Sequence, residues 1–324
     1  MIIMKILILQ SRMGIGDMVI YLPFIEAIAK KFETKVDILV KQNSKAIEII
    51  GNNQFIENII YLKRSGKNER HDGVSRFINL IKDIKKYNFD KIFIFNSSLR
   101  YNLIARLSGI KEIYQYPLFQ KKNQHIINEA KSFLKNNLNI DVETKPEIIL
   151  ENFEILDAKK NYKIDDKIIN VLLGTGGSGP NKRIPSKIYK SIINLCKKKY
   201  NCRFFIATGK NEDEQQILND IIEDDGKYTR LDNLSINKIL PVIKNCSISI
   251  CNDTSFSHLS AALNIPTIIL FADTATLYGS YNPIMFPISA DNSNETENNL
   301  HPKERINPKV VFETFNKILT NSNL

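Results

Sequence analysis

The stretch SISICNDTSFSHLSAALNIPTIILF, residues 247–271, decides the fold. An apolar run (247–251) meets the polar cluster Asn252-Asp253-Thr254-Ser255. A small-residue segment, SHLSAALN, follows, and then a second apolar run, TIILF (267–271). Short continuous apolar runs suit strands covered on both faces. Strand, helix and strand in this order imply a parallel crossover unit. The polar cluster falls where the first strand hands over to the helix. A helix N-terminus carries roughly half a positive charge and free N–H groups, so it is a ready anion site. Asp253, Thr254 and Ser255 are also good helix-capping types, and His258 lies one turn in. Capping, with His258 a core-edge residue, is the plain alternative. An acid at an anion site would repel the anion. Asp253 is therefore expected to face sugar or ribose hydroxyls, or to orient the loop, while backbone N–H groups of Thr254 and Ser255 face phosphate.

The same alternation runs along the whole chain. The first half offers KILILQ (5–10), KVDILV (35–40), NIIYL (58–62) and KIFIF (91–95), with helical stretches at 18–32, 44–50 and 73–87 and another at 100–107. Residues 151–167 are polar and read as a connection. The pattern restarts with IINVLLG (168–174), CRFFIATG (202–209) and SISICN (247–252), with helices between them. Residues 287–305, rich in Asn, Ser and Glu, read as a loop, and NPKVVFETFNKIL (307–319) as a closing amphipathic helix. The fold class expected is α/β with two Rossmann-like, doubly wound domains, 1–157 and 166–324. Ligands of such sheets bind at the carboxyl ends of the strands, and a cleft between the halves is the expected site.

Bulk properties narrow the function. With 324 residues, 43% hydrophobic and 25% charged, the chain is an ordinary globular protein of about two domains. Much of its net charge of +10 is spread over helices as single lysines. That is either a solvated surface or a field for anionic partners such as a phosphorylated substrate or an acidic membrane face. No basic stripe with interleaved aromatics points to nucleic acid. The cysteines at 196, 202, 246 and 251 form no C-x-x-C and have no histidine at zinc spacing, so they read as buried thiols of a reducing compartment. The start, MIIMKILILQ, reads as a strand rather than a signal peptide, and no stretch approaches the about 18 apolar residues of a membrane span.

Two further corners carry polar groups. In LILQSRMGIGDMVIYLP, Gly14 and Gly16 allow a sharp turn, and Asp17 stands before the helix. It is either an N-cap or an exposed carboxylate acting as general base. The dinucleotide fingerprint G-x-G-x-x-G fails, because residue 19 is Val. In LLGTGGSGPNKRIPSKIY, the glycines at 174, 176, 177 and 179 make an open, donor-rich backbone. Thr175 and Ser178 add hydroxyls, and Lys182 and Arg183 add charge. The alternative is a flexible loop with two surface cations. A base together with a phosphate cradle suggests displacement of a nucleoside diphosphate by a hydroxyl. No D-x-D metal pair occurs in the chain. No metal or cofactor is therefore expected, and the developing charge falls to the helix N-terminus, Lys182 and Arg183.

These three corners, in order along nearly the whole chain, resemble glycosyltransferase family 9, the ADP-heptose:lipopolysaccharide heptosyltransferases. Residues 4–32 resemble the family's opening strand and G-D turn. Residues 171–189 resemble its glycine loop followed by Lys-x-Trp-Pro. Residues 251–271 resemble its Asp-Thr-Gly-x-x-His signature. The resemblance implies the GT-B fold with a central cleft and a last helix, about 307–320, returning toward the first domain. It implies inverting, metal-independent transfer of a sugar, heptose first, from a nucleotide donor such as an ADP-sugar. The implied acceptor is an anionic or lipid-linked cell-envelope glycan, such as lipopolysaccharide core or capsule. It implies a cytoplasmic location with peripheral contact at the inner membrane.

By the same resemblance Asp17 is the base, with Gly14 and Gly16 in the acceptor-side loop, and Lys182 is the cation at the diphosphate. Thr175, Gly176, Gly177, Arg183, Thr254 and Ser255 contact phosphate, and Asp253 and His258 orient sugar and loop. The chain departs from the family pattern at Ser255, which replaces a glycine, and at Ile184, which replaces the tryptophan. NLSINKIL (233–240) matches the family's Gly-Lys-Thr-Ser-Leu only loosely. Two other readings stand beside this one. An epimerase-type sugar-nucleotide enzyme would turn over donor without acceptor. A non-catalytic member would bind nucleotide or glycan without product.

Overall fold

A computed structural model describes residues 4–12, 14–63, 70–71, 74–118, 125–177, 179–272, 280–290 and 301–321. By internal contacts the chain divides into two units, Met1–Ile149 and Leu150–Leu324. Ser178, and residues 291–300 of the expected loop, lie outside the described residues.

The first unit runs β1 (Ile6–Gln10), α1 (Ile15–Lys31), β2 (Val36–Lys41), α2 (Ala46–Ile50), β3 (Ile56–Leu62), α3 (Val74–Lys85), β4 (Lys91–Ile94), α4 (Leu99–Leu107), β5 (Glu112–Gln115) and α5 (Ile126–Leu138). Its sheet is parallel in the order β3-β2-β1-β4-β5. The β1 run ILILQ is buried along its whole length because neighbours flank it and helices cover it. Register places Leu9 opposite Leu39 on one side and Ile94 on the other. One core layer joins Leu7, Leu9 and Ile94 to Leu80 and Ile84 of α3 and to Ile104 of α4.

The second unit begins with α6 (Asn152–Asn161) and continues β6 (Ile169–Gly174), α7 (Ser186–Lys199), β7 (Cys202–Ala207), α8 (Glu212–Ile221), β8 (Tyr228–Arg230), α9 (Ile236–Lys244), β9 (Ile248–Asn252), α10 (Ser255–Ala262), β10 (Thr267–Phe271), β11 (Met285–Ser289) and α11 (Pro308–Asn321). Its six strands are parallel in the order β11-β10-β9-β6-β7-β8. Numbered within the unit this is 3-2-1-4-5-6, the doubly wound nucleotide-binding order. Chain direction across the sheet reverses between β6 and β9. That point, at the strands' carboxyl ends, is where such sheets bind ligands.

Three expectations need correction. Residues 152–161 form α6, which packs on α9, so this stretch is part of the second unit rather than a bare connection. Residues 287–289 belong to β11 rather than to a loop; Pro287 is tolerated there because β11 is an edge strand. Helix α1 begins at Ile15, which puts Asp17 inside its first turn. The closing helix α11 buries Val311, Phe315 and Ile318, a stripe at helical spacing, against α7, β10 and β11.

Candidate active site

Register brings the second unit's polar corners together. Gly174, at the end of β6, is level with Ala207 of β7 and with Cys251 of β9. The residues that follow those strands therefore share one edge of the sheet. Thr175 follows β6, Thr208 follows β7, and residues 252–254 complete the corner of β9 and α10. Gly174 is required at the centre, since a Cβ there would sit 2.6 Å from Cys251 Sγ and 3.0 Å from Phe256 Cβ.

A buried clamp holds the corner. The Asn252 side-chain amide donates to the carbonyls of Thr175 (2.8 Å) and Gly176 (3.0 Å), and the Tyr189 hydroxyl donates to Asn252 Oδ1 at 2.7 Å. Asn252 and Tyr189 are both fully buried. Burial keeps the Tyr189 phenol protonated, its pKa held well above the ordinary value. These bonds fix the direction in which the glycine loop leaves the sheet, and so which way its N–H groups point.

Lys182 ends the one-turn segment Pro180–Lys182 and reaches the other side of the corner. Its ammonium pairs with Asp253 Oδ2 at 2.6 Å. Asp253 therefore engages a cation of the glycine loop, a contact compatible with the loop-orienting role open to it. Its carboxylate holds a cation beside the α10 N-terminus, and the pairing reduces its repulsion of an anion. Arg183 turns toward the loop itself. It donates to the Gly177 carbonyl (3.2 Å) and pairs with Asp213 (2.6 Å), which commits it to bracing the loop.

The Gly177 N–H is taken as well, by Glu214 Oε1 at 2.7 Å. Glu214 is buried, with Asn211 capping its backbone N–H at 3.0 Å. A Cβ at Gly176 would lie 2.9 Å from Glu214 Oε1, and one at Gly209 would lie 2.1 Å from Oε2. Those two glycines make room for a carboxylate of the protein itself. Nothing in the local run NEDE (211–214) sets Glu214 apart from its acidic neighbours; the packing of two glycine turns around it is a tertiary fact.

Three hydroxyls in this corner have no hydrogen-bond partner among the described residues: Thr175 Oγ1, Thr208 Oγ1 and Thr254 Oγ1. Thr175 is fully buried and Thr208 nearly so. A buried hydroxyl without a partner costs about 1–3 kcal/mol, and three of them lie along this one sheet edge. Thr254 is the N-cap residue of α10, yet its side chain makes no capping bond. Thr208 is absent from the sequence-level candidates. Its signal is present: IATG repeats the strand-Thr-Gly pattern of LLGTG.

Ser255 stands at the first position of α10 and is not among the residues with positive φ, so serine carries no backbone strain there. Ile184 is fully buried in the core, where it packs as an apolar residue. His258 is buried; its Nδ1 lies 3.0 Å from the Tyr281 hydroxyl, and the two rings stack at 5.6 Å. It ties α10 to the segment before β11. Burial raises the Tyr281 phenol well above its usual pKa. The cysteines are buried free thiols; burial pushes Cys202 up to about 11 and Cys251 to about 12, which keeps them neutral.

In the first unit Asp17 is the third residue of α1, and its Oδ2 accepts the N–H of the N-cap Gly14 at 3.0 Å. A Cβ on Gly14 would come within 3.1 Å of that oxygen. Gly14 thus allows close approach rather than a left-handed turn; its φ is −92°. The corner is the first sheet's own reversal point, between β1 and β4. Asn96 donates to Ser11 Oγ there at 2.8 Å. Among the described residues no three of His, Cys, Asp or Glu cluster as metal ligands, and no helix is long and apolar enough to cross a membrane.

Two doubly wound units, each on its own parallel sheet, make the fold class GT-B. Residues 78–307 match the family model for glycosyltransferase family 9 (heptosyltransferase), and the chain belongs to that family and is a glycosyltransferase. The chain is 20% identical over 307 residues to lipopolysaccharide heptosyltransferase 1 of Campylobacter coli, covering 86% of each chain. It is similar in fold to a glycosyltransferase family 9 protein of Veillonella parvula (TM-score 0.80, 16% identity, 98% of each chain). It is likewise similar to E. coli heptosyltransferase WaaC with ADP-2-deoxy-2-fluoro heptose (TM-score 0.71, 14% identity, 97% of this chain and 99% of that one).

Proposed function

We propose that this chain transfers a sugar, heptose in the first instance, from an ADP-sugar to a hydroxyl of a bacterial cell-envelope glycan such as lipopolysaccharide core. Transfer proceeds with inversion and without a metal, at the cytoplasmic face of the inner membrane. The observation that carries the reading is the α10 N-terminus at the sheet's reversal point, with Lys182 anchored beside it by Asp253 and unpartnered threonine hydroxyls along the same sheet edge. Relatives supply the chemical identity: the Campylobacter coli protein is named a lipopolysaccharide heptosyltransferase, and the E. coli protein's structure holds an ADP-heptose analogue.

The chemistry follows from charge. As the acceptor oxygen bonds to the anomeric carbon, the bond from that carbon to the diphosphate breaks, and the leaving diphosphate gains negative charge. Groups aimed at developing charge lower the barrier. Here they are the α10 N-terminus, the Lys182 ammonium and the hydroxyls of Thr175, Thr208 and Thr254. Asn252, Glu214 and Arg183 hold the glycine loop in position for this and act through it. The acceptor proton goes to Asp17. A carboxylate oxygen has two lone pairs, so Oδ2 can take a proton while it keeps the Gly14 amide.

The test is product analysis. The full chain is incubated with ADP-heptose and a lipopolysaccharide core acceptor, and the expected result is acceptor enlarged by one heptosyl unit together with ADP. Turnover of the sugar nucleotide at the same rate without acceptor contradicts the proposal and favours the epimerase-type reading.

A further inference from the structure

We infer that the outer face of α3 and α4 docks the protein on an anionic lipid surface. A helix lying on a sheet normally turns charged residues to water. Helix α4 does not. Tyr101, Ile104 and Ala105 are buried, yet Leu99, Leu103 and Leu107, at i, i+4 and i+8, line the opposite face and are 44%, 42% and 58% exposed. Helix α3 packs beside α4 and adds Ile78, which is 50% exposed. Four large apolar side chains on two neighbouring helices make a patch that calls for a partner.

Charge selects the partner. Lys82, Lys85 and Lys86 follow Ile78 at helical spacing and are exposed, as is Arg106 beside Leu103 and Leu107. The acid on this stretch, Asp83, is held by Arg70, His71 and Lys86. Leucines flanked by lysine and arginine fit an interface of acyl chains and anionic headgroups. A second copy fits badly. A two-fold contact sets a surface patch against itself, so these four cations would face their own images. The inference rests on this surface and not on the sugar-transfer reading.

The experiment is vesicle co-sedimentation of the full chain. Vesicles of phosphatidylcholine alone are compared with vesicles of phosphatidylcholine and phosphatidylglycerol in equal parts. The variants are Leu103→Ser with Leu107→Ser, and Lys82→Glu with Lys85→Glu. Both pairs are exposed and lie outside the transfer machinery, so melting temperature and sugar transfer to a detergent-dispersed acceptor should match wild type. Wild type is expected to bind the anionic vesicles and to release as salt rises. Each pair should weaken binding about tenfold or more, the lysine pair at roughly fivefold per basic side chain and the leucine pair through lost apolar burial. The inference is overturned if wild type ignores anionic vesicles at low salt, or if both variants sediment like wild type. It is also overturned if wild type is a dimer that the double serine variant converts to a monomer. Loss of vesicle binding with sugar transfer intact leaves the enzymatic proposal untouched.

Discussion

Replacing Thr175 by valine should move stability and ligand affinity in opposite directions. Thr175 is fully buried, and its hydroxyl has no partner among the described residues. Valine keeps the branched shape and removes the unsatisfied group. An unmade buried hydrogen bond costs about 1–3 kcal/mol, so the ligand-free variant should gain up to that amount. For a unit of this size 1 kcal/mol is about 2–4 °C in melting temperature. Bound nucleoside diphosphate reverses the sign. A hydrogen bond to a charged group contributes about 1.5–3 kcal/mol, so ADP should bind roughly 10- to 150-fold more weakly. The assays are a melting curve without ligand and a calorimetric ADP titration of both proteins. A valine variant that melts lower without ligand would mean the hydroxyl is already satisfied in the fold. Unchanged ADP affinity would mean that it faces no phosphate. Either result removes the main support for the cradle.

Other perturbations separate roles that overlap in space. Asp17→Asn keeps an oxygen for the Gly14 amide, whereas Asp17→Ala loses it. Both should slow transfer about 10²- to 10⁴-fold if the carboxylate is the base, and alanine alone should also lose about 0.5–2 kcal/mol of stability. Near-native turnover by the asparagine variant would reduce Asp17 to a capping residue. Asn252→Leu takes the donor from the two loop carbonyls and leaves the Tyr189 hydroxyl only its long contact to the Gly174 carbonyl, 3.4 Å. It should cost at least about 1–3 kcal/mol in a denaturant titration and weaken ADP binding, an effect Asn252→Asp should only partly restore. Asp83 is held below the ordinary carboxylate range, first by Arg70 and then by His71 and Lys86. The unfolded chain therefore binds more protons as pH falls below about 4, and this contribution is present at neutral pH and lost in acid. Asp83→Asn should lower the melting temperature at neutral pH, and the gap should close on acidification.

Legibility in the sequence followed burial. The strands β1, β2, β6, β7, β9 and β10 are buried along nearly their whole length, so each shows as an apolar run. Edge strands β5, β8 and β11 are three to five residues long and half-exposed, so nothing in their local pattern separates them from loops, whereas the edge strand β3 is seven residues long and still shows as an apolar run. The site divides in the same way. Thr175, Lys182, Asp253 and Thr254 were visible as clusters at strand ends. Their pairing was not. That Lys182 meets Asp253, that Arg183 braces Gly177, and that Glu214 fills the space two glycines leave depends on β6 lying between β7 and β9. Asn252 stood inside the opening motif, but its importance comes from carbonyls 77 and 76 residues away.

The most direct test of the account is the dissociation constant of ADP, measured by calorimetry on wild type and on Lys182→Met. The account predicts one saturable site per chain in wild type and binding at least about tenfold weaker in the variant, as expected for losing a charge-assisted contact. Absence of saturable binding in wild type, or equal affinity in both proteins, would contradict it.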